Sequence, residues 1–228
     1  MKNKDIILIS DTYFPLKTSG AIQLQHLAKE FVRKGYNVTV ALPETLTGAP
    51  YTVECVDRVN VVRLRVPNFN REHSIGRALT EVFMPFFMWF RYQKSPFRSI
   101  SWDGLIWYSP SIFHGFFASR IKQTSNCRAY LIVRDIFPEW AVDLGLLRRG
   151  LLFYFFQSVT KYQYSVADKI GIQTPGNAKY FDNLSKNDQR KIEVLENWLG
   201  LPVVSDRAAE LNLSKLRGRK LFVYAGGL

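Results

Sequence analysis

Short apolar runs alternate along the chain with segments whose apolar residues recur at helical spacing. The runs predict buried strands, whereas the apolar residues between Leu24 and Val32 share one face of a helix that Ser19 caps and Gly35 ends. The predicted strands are Ile6–Ile9, Val38–Leu42, Val61–Val66, Gly104–Tyr108, Ala129–Val133, Lys169–Gln173 and Ile192–Leu195. Further helices are predicted at Ser111–Lys122, Leu147–Ala167 and Gly176–Leu184.

The alternation of strands and helices predicts an α/β fold, a doubly wound parallel sheet with helices on both faces. We expect residues 1–200 to form this domain. Residues 201–219 are polar and mixed in charge, which predicts a linker with a short helix. Residues 220–228 predict one more strand and a Gly-Gly turn, as at the start of a nucleotide-binding unit. Because no helix follows to cover that strand, we expect a truncated part of a two-domain protein. The alternative is that this strand joins the sheet formed by the preceding residues.

The net charge narrows the choice of partner. The 228 residues carry a formal charge of +12 at pH 7, which favours nucleic acid, an acidic membrane surface or a phosphorylated ligand. A solvated basic surface without a partner is the alternative. The aromatic residues fall in apolar runs rather than alternating with cations, which argues against a nucleic-acid binder.

Several classes of site are disfavoured by the residue patterns. The sequence has no GxGxxG, Walker or GxSxG motif, which argues against a dinucleotide oxidoreductase, a P-loop enzyme or a nucleophile elbow. His26, His73 and His114 have no metal-ligand spacing, so we expect no metal and no other cofactor. Cys55 and Cys127 fit no disulfide framework, which indicates a reducing cytoplasm. No run is long enough for a signal peptide or a membrane span.

The loops after the strands hold the candidate site, because ligands bind at the carboxyl ends of parallel strands. In the first loop, Ser19 and Gly20 lie at a helix N-terminus, where free N–H groups favour an anion and glycine allows close approach. An ordinary helix cap is the alternative. After the strand Ala129–Val133, Arg134 can hold a phosphate or a sugar hydroxyl, and Asp135 or Glu139 can accept hydroxyl hydrogen bonds. A fold-stabilising ion pair is the alternative there.

Two aromatic stretches are flanked by cations. One spans residues 77–94 and the other is Leu151–Phe156. Between residues 61 and 134 the chain has 11 Lys or Arg against 3 Asp or Glu, so the positive charge overlaps the first stretch. Large aromatic residues beside cations are typical of a membrane interface, and core packing is the alternative for both stretches. The interfacial candidates are Arg77, Trp89, Phe90, Arg91 and Lys94.

Together these segments resemble the N-terminal domain of the GT-B glycosyltransferases of family 4. Within that family, the sugar transferases of bacterial capsule and O-antigen synthesis carry an R-D-[LI]-[WF]-P-E phrase, which Arg134–Glu139 matches. The segments that carry the resemblance are Phe14–Gly20, Leu24–Gly35, Tyr36–Val40, Val133–Glu139, Thr174–Ala178, Leu195–Trp198 and Phe222–Gly227. The resemblance spans the whole chain and implies a Rossmann-like domain, the N-terminal half of a GT-B fold.

The resemblance also implies a reaction, in which a sugar moves from a nucleotide-sugar to a lipid-linked saccharide with retention of configuration and without a metal. Arg134 stands where many members have a histidine that touches the donor sugar. Arginine stays protonated, so hydrogen bonding is implied there and proton transfer is not. The implied residues are Arg134 and Asp135 for catalysis, Ser19, Gly20, Gly226 and Gly227 for the donor diphosphate, and Glu139, Thr174 and Asn197 for sugar and acceptor.

We therefore expect the acceptor-binding domain of a retaining glycosyltransferase of surface polysaccharide synthesis, peripheral on the inner face of the bacterial plasma membrane. The expected partners are a nucleotide-sugar, a lipid-linked saccharide acceptor and the anionic membrane surface, without nucleic acid. In the family the residues that grip the diphosphate belong to the second domain, so we expect negligible activity from this chain alone. The alternative function is a non-catalytic module that docks on a membrane or a partner transferase.

Overall fold

The computed structural model describes residues 4–45, 48–69, 74–182 and 184–198, with Gly200, Gly218, Lys220 and Phe222. The strands are β1 Asp5–Ile9, β2 Asn37–Glu44, β3 Tyr51–Val56, β4 Val59–Arg65, β5 Gly104–Tyr108, β6 Arg128–Val133, β7 Lys169–Ile172 and β8 Ile192–Val194. The helices are α1 Ser19–Arg33, α2 Ser74–Tyr92, α3 Gly115–Ser125, α4 Glu139–Asp143, α5 Leu151–Val166 and α6 Lys186–Gln189, with 3₁₀ helices at Pro96–Ser99 and Pro175–Phe181. Apart from three single positions, the predicted linker 201–219 and terminal strand 220–228 lie outside the described residues.

The described strands form one sheet in the order β3-β4-β2-β1-β5-β6-β7-β8. Every neighbouring pair is parallel except β3 and β4, which form an antiparallel hairpin. The chain runs outward from β1 through β2 and β4, then returns to β5 on the other side of β1. This reversal of strand order is a topological switch point, and a crevice is expected where β1 and β5 end. We call the edge at which the parallel strands end the carboxyl edge.

The sequence pattern does not predict β3. Tyr51–Val56 is an edge strand that pairs only with β4 and exposes most of its side chains, so it lacks the apolar run that marks the buried strands. The turn to β4 places Asp57 and Arg58 at φ 51° and 65°, the left-handed conformation that a two-residue hairpin turn requires. This hairpin forms the side of the sheet farthest from β8 and lies away from the switch point between β1 and β5.

Helices cover both faces of the sheet. Alternate side chains of β1 point in opposite directions, so that Leu8 packs with Leu24 of α1 while Ile7 belongs to the core beneath α2, α3 and α5. The core beneath α2, α3 and α5 is the larger of the two and includes Trp107 and Phe117, which are both fully buried. The predicted doubly wound α/β fold is confirmed.

Helix α5 packs closely on α3. An added Cβ on Gly115 would lie 3.0 Å from the Cα of Gln163, so glycine permits the two backbones to approach. The Nε1 of Trp107 donates a hydrogen bond of 3.1 Å to the Oε1 of Gln163, which ties α5 to β5 as well. The position of α5 relative to the sheet is therefore set by backbone contact and by a buried polar bond.

Asp168 holds the opposite, amino edge of the sheet together. Its carboxylate accepts a hydrogen bond of 2.8 Å from the Nζ of Lys122 at the end of α3 and another of 2.8 Å from the N–H of Ala129 in β6. Lys122 also donates to the carbonyl of Val166, the last residue of α5. The C-terminal ends of α3 and α5 thus both lie at the amino edge.

We expect Asp168→Asn to reduce the loss of stability in acid. Burial raises the pKa of Asp168, but the hydrogen bonds from Lys122 and Ala129 outweigh it, so the pKa is lowered. Because the pKa is lower in the folded state than in the unfolded state, the ionised carboxylate stabilises the fold. This stabilisation is fully present above the unfolded-state pKa of about 3.9 and is lost as the pH falls through the folded-state pKa. In urea unfolding at pH 5 and pH 3, the wild type should lose more free energy of unfolding than the Asn variant. Equal losses would contradict this account.

Candidate functional site

A side-chain network joins α1 to the carboxyl edge, with the buried amide of Gln23 at its centre. The Oε1 of Gln23 accepts hydrogen bonds from the hydroxyl of Tyr108, at 3.1 Å, and from the guanidinium of Arg134. The Nε2 of Gln23 donates to the Oδ1 of Asn197 at 3.4 Å, and the Nε2 of Gln173 donates to the same oxygen at 3.3 Å. Side chains that follow β6, β7 and β8 therefore converge with the last residue of β5 on one helix.

Arg134 is the cation of this network. Its guanidinium carbon lies 5.9 Å from the centre of the Tyr108 ring, and the side chain is half-buried. Among the residues that the structure describes, no carboxylate pairs with it, so the ion pair left open by the sequence does not form there. Because Gln23 takes part of the donor fork, the remaining N–H groups can hold a phosphate or sugar hydroxyls.

Tyr108 supports both Arg134 and the start of α1. Burial raises the pKa of the phenol, and the neighbouring Arg134 opposes this without cancelling it, so the hydroxyl stays neutral and donates to Gln23. An added Cβ on Gly20 would lie 3.2 Å from the Cε1 of Tyr108. Glycine at this position therefore allows α1 to lie against the ring. The predicted contact of Gly20 with a diphosphate stays a prediction.

Thr18, rather than Ser19, caps α1. Its Oγ1 accepts a hydrogen bond of 3.3 Å from the N–H of Ala21 and lies 3.0 Å from the Oγ1 of Thr12. The predicted cap is wrong by one residue because Ser19 has already entered the helix. Ser19 is exposed in the first turn, where N–H groups lack partners within the helix, so its predicted phosphate contact stays a prediction.

A second pair of polar side chains lies at the switch point. Asp11 follows β1, and His114 directly precedes α3 in the loop after β5. The imidazole is fully buried, and its Nε2 lies 2.9 Å from the Oδ1 of the partly exposed Asp11. The contact lacks the alignment of a hydrogen bond, so neither ring nitrogen has a hydrogen-bond partner in the described part of the chain. A buried polar group without a hydrogen-bond partner lowers the stability of the fold. The pair of His114 and Asp11 is therefore a candidate for binding a polar ligand.

The other predicted site residues do not all reach the Gln23 network. Asn197 belongs to it, as described above, whereas Asp135 is exposed beside it and lies close enough to affect the pKa of Tyr108. Thr174 is exposed after β7, at the start of a 3₁₀ helix. Glu139 lines a separate cavity of about 240 Å³ between α4, α5 and that 3₁₀ helix. Gly226 and Gly227 lie outside the described residues.

The predicted membrane-interface residues divide between core and surface. Trp89 is only 9% exposed and belongs to the core, with the guanidinium of Arg120 5.1 Å from its ring centre, so its placement at a membrane surface is wrong. Phe90 is 64% exposed, Lys94 is exposed and Arg91 is half-buried. Arg77 belongs to α2, but its side chain lies outside what the structure describes.

A large cavity lies away from these residues. It has a volume of about 1120 Å³ and lies on the sheet face beside α1, where Phe31, Tyr130 and Trp198 are among its walls. Neither Arg134 nor Asp11 lines it, and its surface is mainly apolar, so we assign the polar chemistry to the carboxyl edge. Among the described residues, no cluster of three or more His, Cys, Asp or Glu is placed to hold a metal, and no helix has both the length and the apolarity to span a bilayer.

Sequence reasoning missed five residues of the candidate site: Asp11, Gln23, Tyr108, His114 and Gln173. Asp11 could have been found, because only Ser10 separates it from the end of a predicted strand. His114 could not, since its only signal is burial beside Asp11, more than a hundred positions away. Gln23 lies within a helix whose apolar face gives no sign that a polar side chain is buried among strand ends.

Comparisons with known proteins agree with this architecture. No protein-family model matches the chain. A Pseudomonas aeruginosa protein named "Probable glycosyltransferase WbjE" is 21% identical over 232 residues, which cover 98% of this chain and 56% of that protein. The catalytic domain of starch synthase IV from Arabidopsis thaliana, bound to ADP and acarbose, superposes with a TM-score of 0.59 at 12% identity, over 87% of this chain and 52% of that one.

A second solved structure gives the same result. A UDP-glucosyltransferase from Polygonum tinctorium, in complex with 3,4-dichloroaniline, has a TM-score of 0.55 at 10% identity, over 94% of this chain and 56% of that one. This chain spans about half the length of the proteins it matches. At these identities the likeness concerns the fold, and it confirms a Rossmann-like domain of the kind found in GT-B glycosyltransferases.

Proposed function

We propose that this chain forms the acceptor-binding part of a glycosyltransferase that uses a nucleotide-sugar donor. The observation that carries the proposal is the guanidinium of Arg134, which Gln23 and Tyr108 hold at the carboxyl edge without a described carboxylate to neutralise it. A fixed cation beside a crevice suits a donor whose diphosphate gains charge as the sugar leaves. The name of the Pseudomonas relative and the ADP bound to the starch synthase domain support this choice.

The finer proposal concerns the family and the mechanism. We propose a family 4 transferase that moves the sugar with retention and without a metal or other cofactor. In this reaction Arg134 hydrogen-bonds to the donor sugar or its phosphate and moves no proton, since it stays protonated. Asp135 lies beside it at the reacting centre, Ser19 and Gly20 face the donor phosphates from the first turn of α1, and Thr174 and Asn197 contact the sugar or the acceptor. Glu139 lines a separate cavity, so it meets only a part of the acceptor that extends away from the Gln23 network.

We further propose that the acceptor is a lipid-linked saccharide of surface polysaccharide synthesis, used at the cytoplasmic face of the plasma membrane. The formal charge of +12 supports an anionic membrane as a partner, because clustered Lys and Arg gain energy near acidic lipids. Such an acceptor carries a diphosphate of its own, which a basic carboxyl edge would also attract.

A transfer assay tests the proposed function. The longer transferase of which we propose this chain is a part is incubated with labelled UDP-, GDP- and ADP-sugars and with bacterial membranes as the source of acceptor, and label is followed into the lipid-extractable fraction. We expect one donor class to label that fraction, with retention of the anomeric configuration as measured by NMR and with no effect of EDTA, whereas this chain alone should label it negligibly. If the folded longer protein uses no donor, in membranes that support transfer by another lipid glycosyltransferase, the proposed function is wrong.

A further inference from the structure

Four leucines form an exposed surface around the start of α5. Leu144 and Leu146 lie in the α4–α5 loop, and Leu151 and Leu152 begin α5. Their side chains are 69%, 72%, 91% and 55% exposed, respectively. We call these four residues the leucine surface. Single exposed leucines are ordinary, but four within nine residues form an apolar patch of the kind that marks an interaction site.

The leucine surface lies beyond the carboxyl edge, on the side of the candidate site. The hydroxyl of Thr160 donates to the carbonyl of Phe137 in the loop after β6, and the ring of Phe156 lies 5.0 Å from the ring of Phe137. Residues 156–160 of α5 are therefore level with the end of the sheet. Leu151 precedes Phe156 by five residues, which places it about 7.5 Å farther out along the helix.

The predicted interfacial segment of α2 lies at the opposite edge. The Nε1 of Trp102 donates a hydrogen bond of 2.8 Å to the hydroxyl of Tyr92, the last residue of α2. Trp102 comes just before β5 begins, so this end of α2 lies at the amino edge. Phe90 and Lys94 are consequently at the wrong edge to bring a membrane substrate to Arg134.

The charges between and after the leucines are positive, whereas Asp143, just before Leu144, accepts a hydrogen bond of 3.0 Å from the hydroxyl of Tyr180. Arg148 and Arg149 separate the two pairs of leucines, and Lys161 follows on α5. From residue 144 to residue 166 the sequence contains no Asp or Glu. Tyr154, which is exposed in the first turn of α5, adds an aromatic ring with a polar end. Leucine, arginine and tyrosine side by side are typical of a segment that enters a bilayer interface and meets acidic headgroups.

A second copy of the chain fits this surface less well. A two-fold interface places the same patch against itself, so Arg148 and Arg149 of two copies would meet, with Asp143, which already accepts a hydrogen bond from Tyr180, as the carboxylate nearest in sequence. Juxtaposed like charges oppose such an interface. An anionic membrane instead supplies both the apolar depth for the leucines and the negative charge for the arginines.

We propose that the leucine surface inserts into the interface of an anionic lipid bilayer and holds the carboxyl edge of the sheet against it. The arguments from exposure and charge are independent of the proposed function. Only the argument from nearness to Arg134 rests on it, so membrane binding and sugar transfer can fail separately. In this arrangement a saccharide attached to a lipid reaches the Gln23 network from the membrane side.

Vesicle flotation with the full chain tests the proposal. We expect binding to vesicles of phosphatidylcholine with 30% phosphatidylglycerol, weakened by high salt, and much less binding to phosphatidylcholine alone. Leu146→Ser combined with Leu151→Ser should weaken binding to the anionic vesicles at least roughly tenfold, since two exposed leucines lose their apolar burial in the bilayer. Arg148→Gln with Arg149→Gln should remove the preference for anionic lipid.

Two matched controls make the outcome specific. Phe90→Ser removes an equally exposed apolar side chain at the amino edge, and Val53→Ser removes one from the edge strand β3. Both should bind like the wild type, and circular dichroism should show every variant folded. The proposal is overturned if no vesicle is bound, if Phe90→Ser rather than the leucine double variant loses binding, or if sedimentation shows a dimer that the leucine double variant dissociates without any lipid effect.

Discussion

Arg134→Gln is expected to lower kcat/KM for sugar transfer at least about a hundredfold, which corresponds to roughly 2.7 kcal/mol of lost transition-state stabilisation. The guanidinium is the unpaired cation of the carboxyl-edge network, and glutamine keeps a polar side chain of similar length without the charge or the fork. Arg134→Lys should fall in between, because it keeps the charge but cannot donate from a planar fork to two oxygens. Transfer kinetics of the longer transferase that contains this chain, with the donor found in the assay described above, give the measurement.

The control for this prediction lies at the other end of β6, the strand that Arg134 follows. Arg128 begins β6 at the amino edge and is largely exposed, so Arg128→Gln removes one positive charge far from the Gln23 network. It should leave kcat/KM within about twofold of the wild type, because exposed charges at that distance are screened. Equal losses in Arg128→Gln and Arg134→Gln would show that net charge, and not the placed guanidinium, is what transfer requires.

His114→Leu should separate activity from stability. Neither nitrogen of this buried imidazole has a hydrogen-bond partner among the described residues, and a leucine of similar size removes the polar atoms from the core. The free energy of unfolding should then stay the same or rise by up to about 1 kcal/mol. Transfer should fall at least about tenfold, because Asp11 loses the group that lies 2.9 Å from its carboxylate at the switch point. Urea unfolding of this chain and transfer kinetics of the longer transferase with the same substitution measure the two effects.

A second histidine provides the contrast. The Nδ1 of His26 on α1 accepts a hydrogen bond of 2.8 Å from the N–H of Gly200, outside the carboxyl-edge network. His26→Leu should therefore lose stability while the transfer rate of the folded protein stays unchanged. A clear loss of stability in His114→Leu, with activity lost only in proportion to unfolding, would mean that His114 is a structural residue.

The fold was largely predictable because its signals are local. Six of the seven predicted strands are apolar runs of the kind that covered parallel strands have, β8 being a partly exposed edge strand. The period of the first helix follows from its one buried face. The missed strand β3 shows the limit of this reasoning. It lies at an edge with most side chains exposed, so its pairing with β4 comes from the hairpin and not from an apolar pattern of its own.

The candidate site was predictable only where position in the chain implies position in the fold. Arg134 follows a buried strand, and parallel strands end at one edge, so its place at the carboxyl edge could be inferred. Its partner Gln23 lies 111 residues earlier in a helix, and nothing in the pattern of that helix indicates which polar residue meets the strand ends.

The sequence by itself determined the chemical types and most of the order of the elements: a parallel α/β sheet, a basic chain, and a charged phrase after the strand that ends at Val133. Only the tertiary structure decided which side chains converge and which face outward. Trp89 and Leu151 both occur in aromatic or apolar stretches flanked by cations, yet one is buried under Arg120 and the other projects beyond the carboxyl edge. The physical reason is that periodicity along the sequence indicates only which face of a single helix or strand is buried. Which side chains converge, and at which edge of the sheet they lie, depends on how the crossover helices return to the sheet.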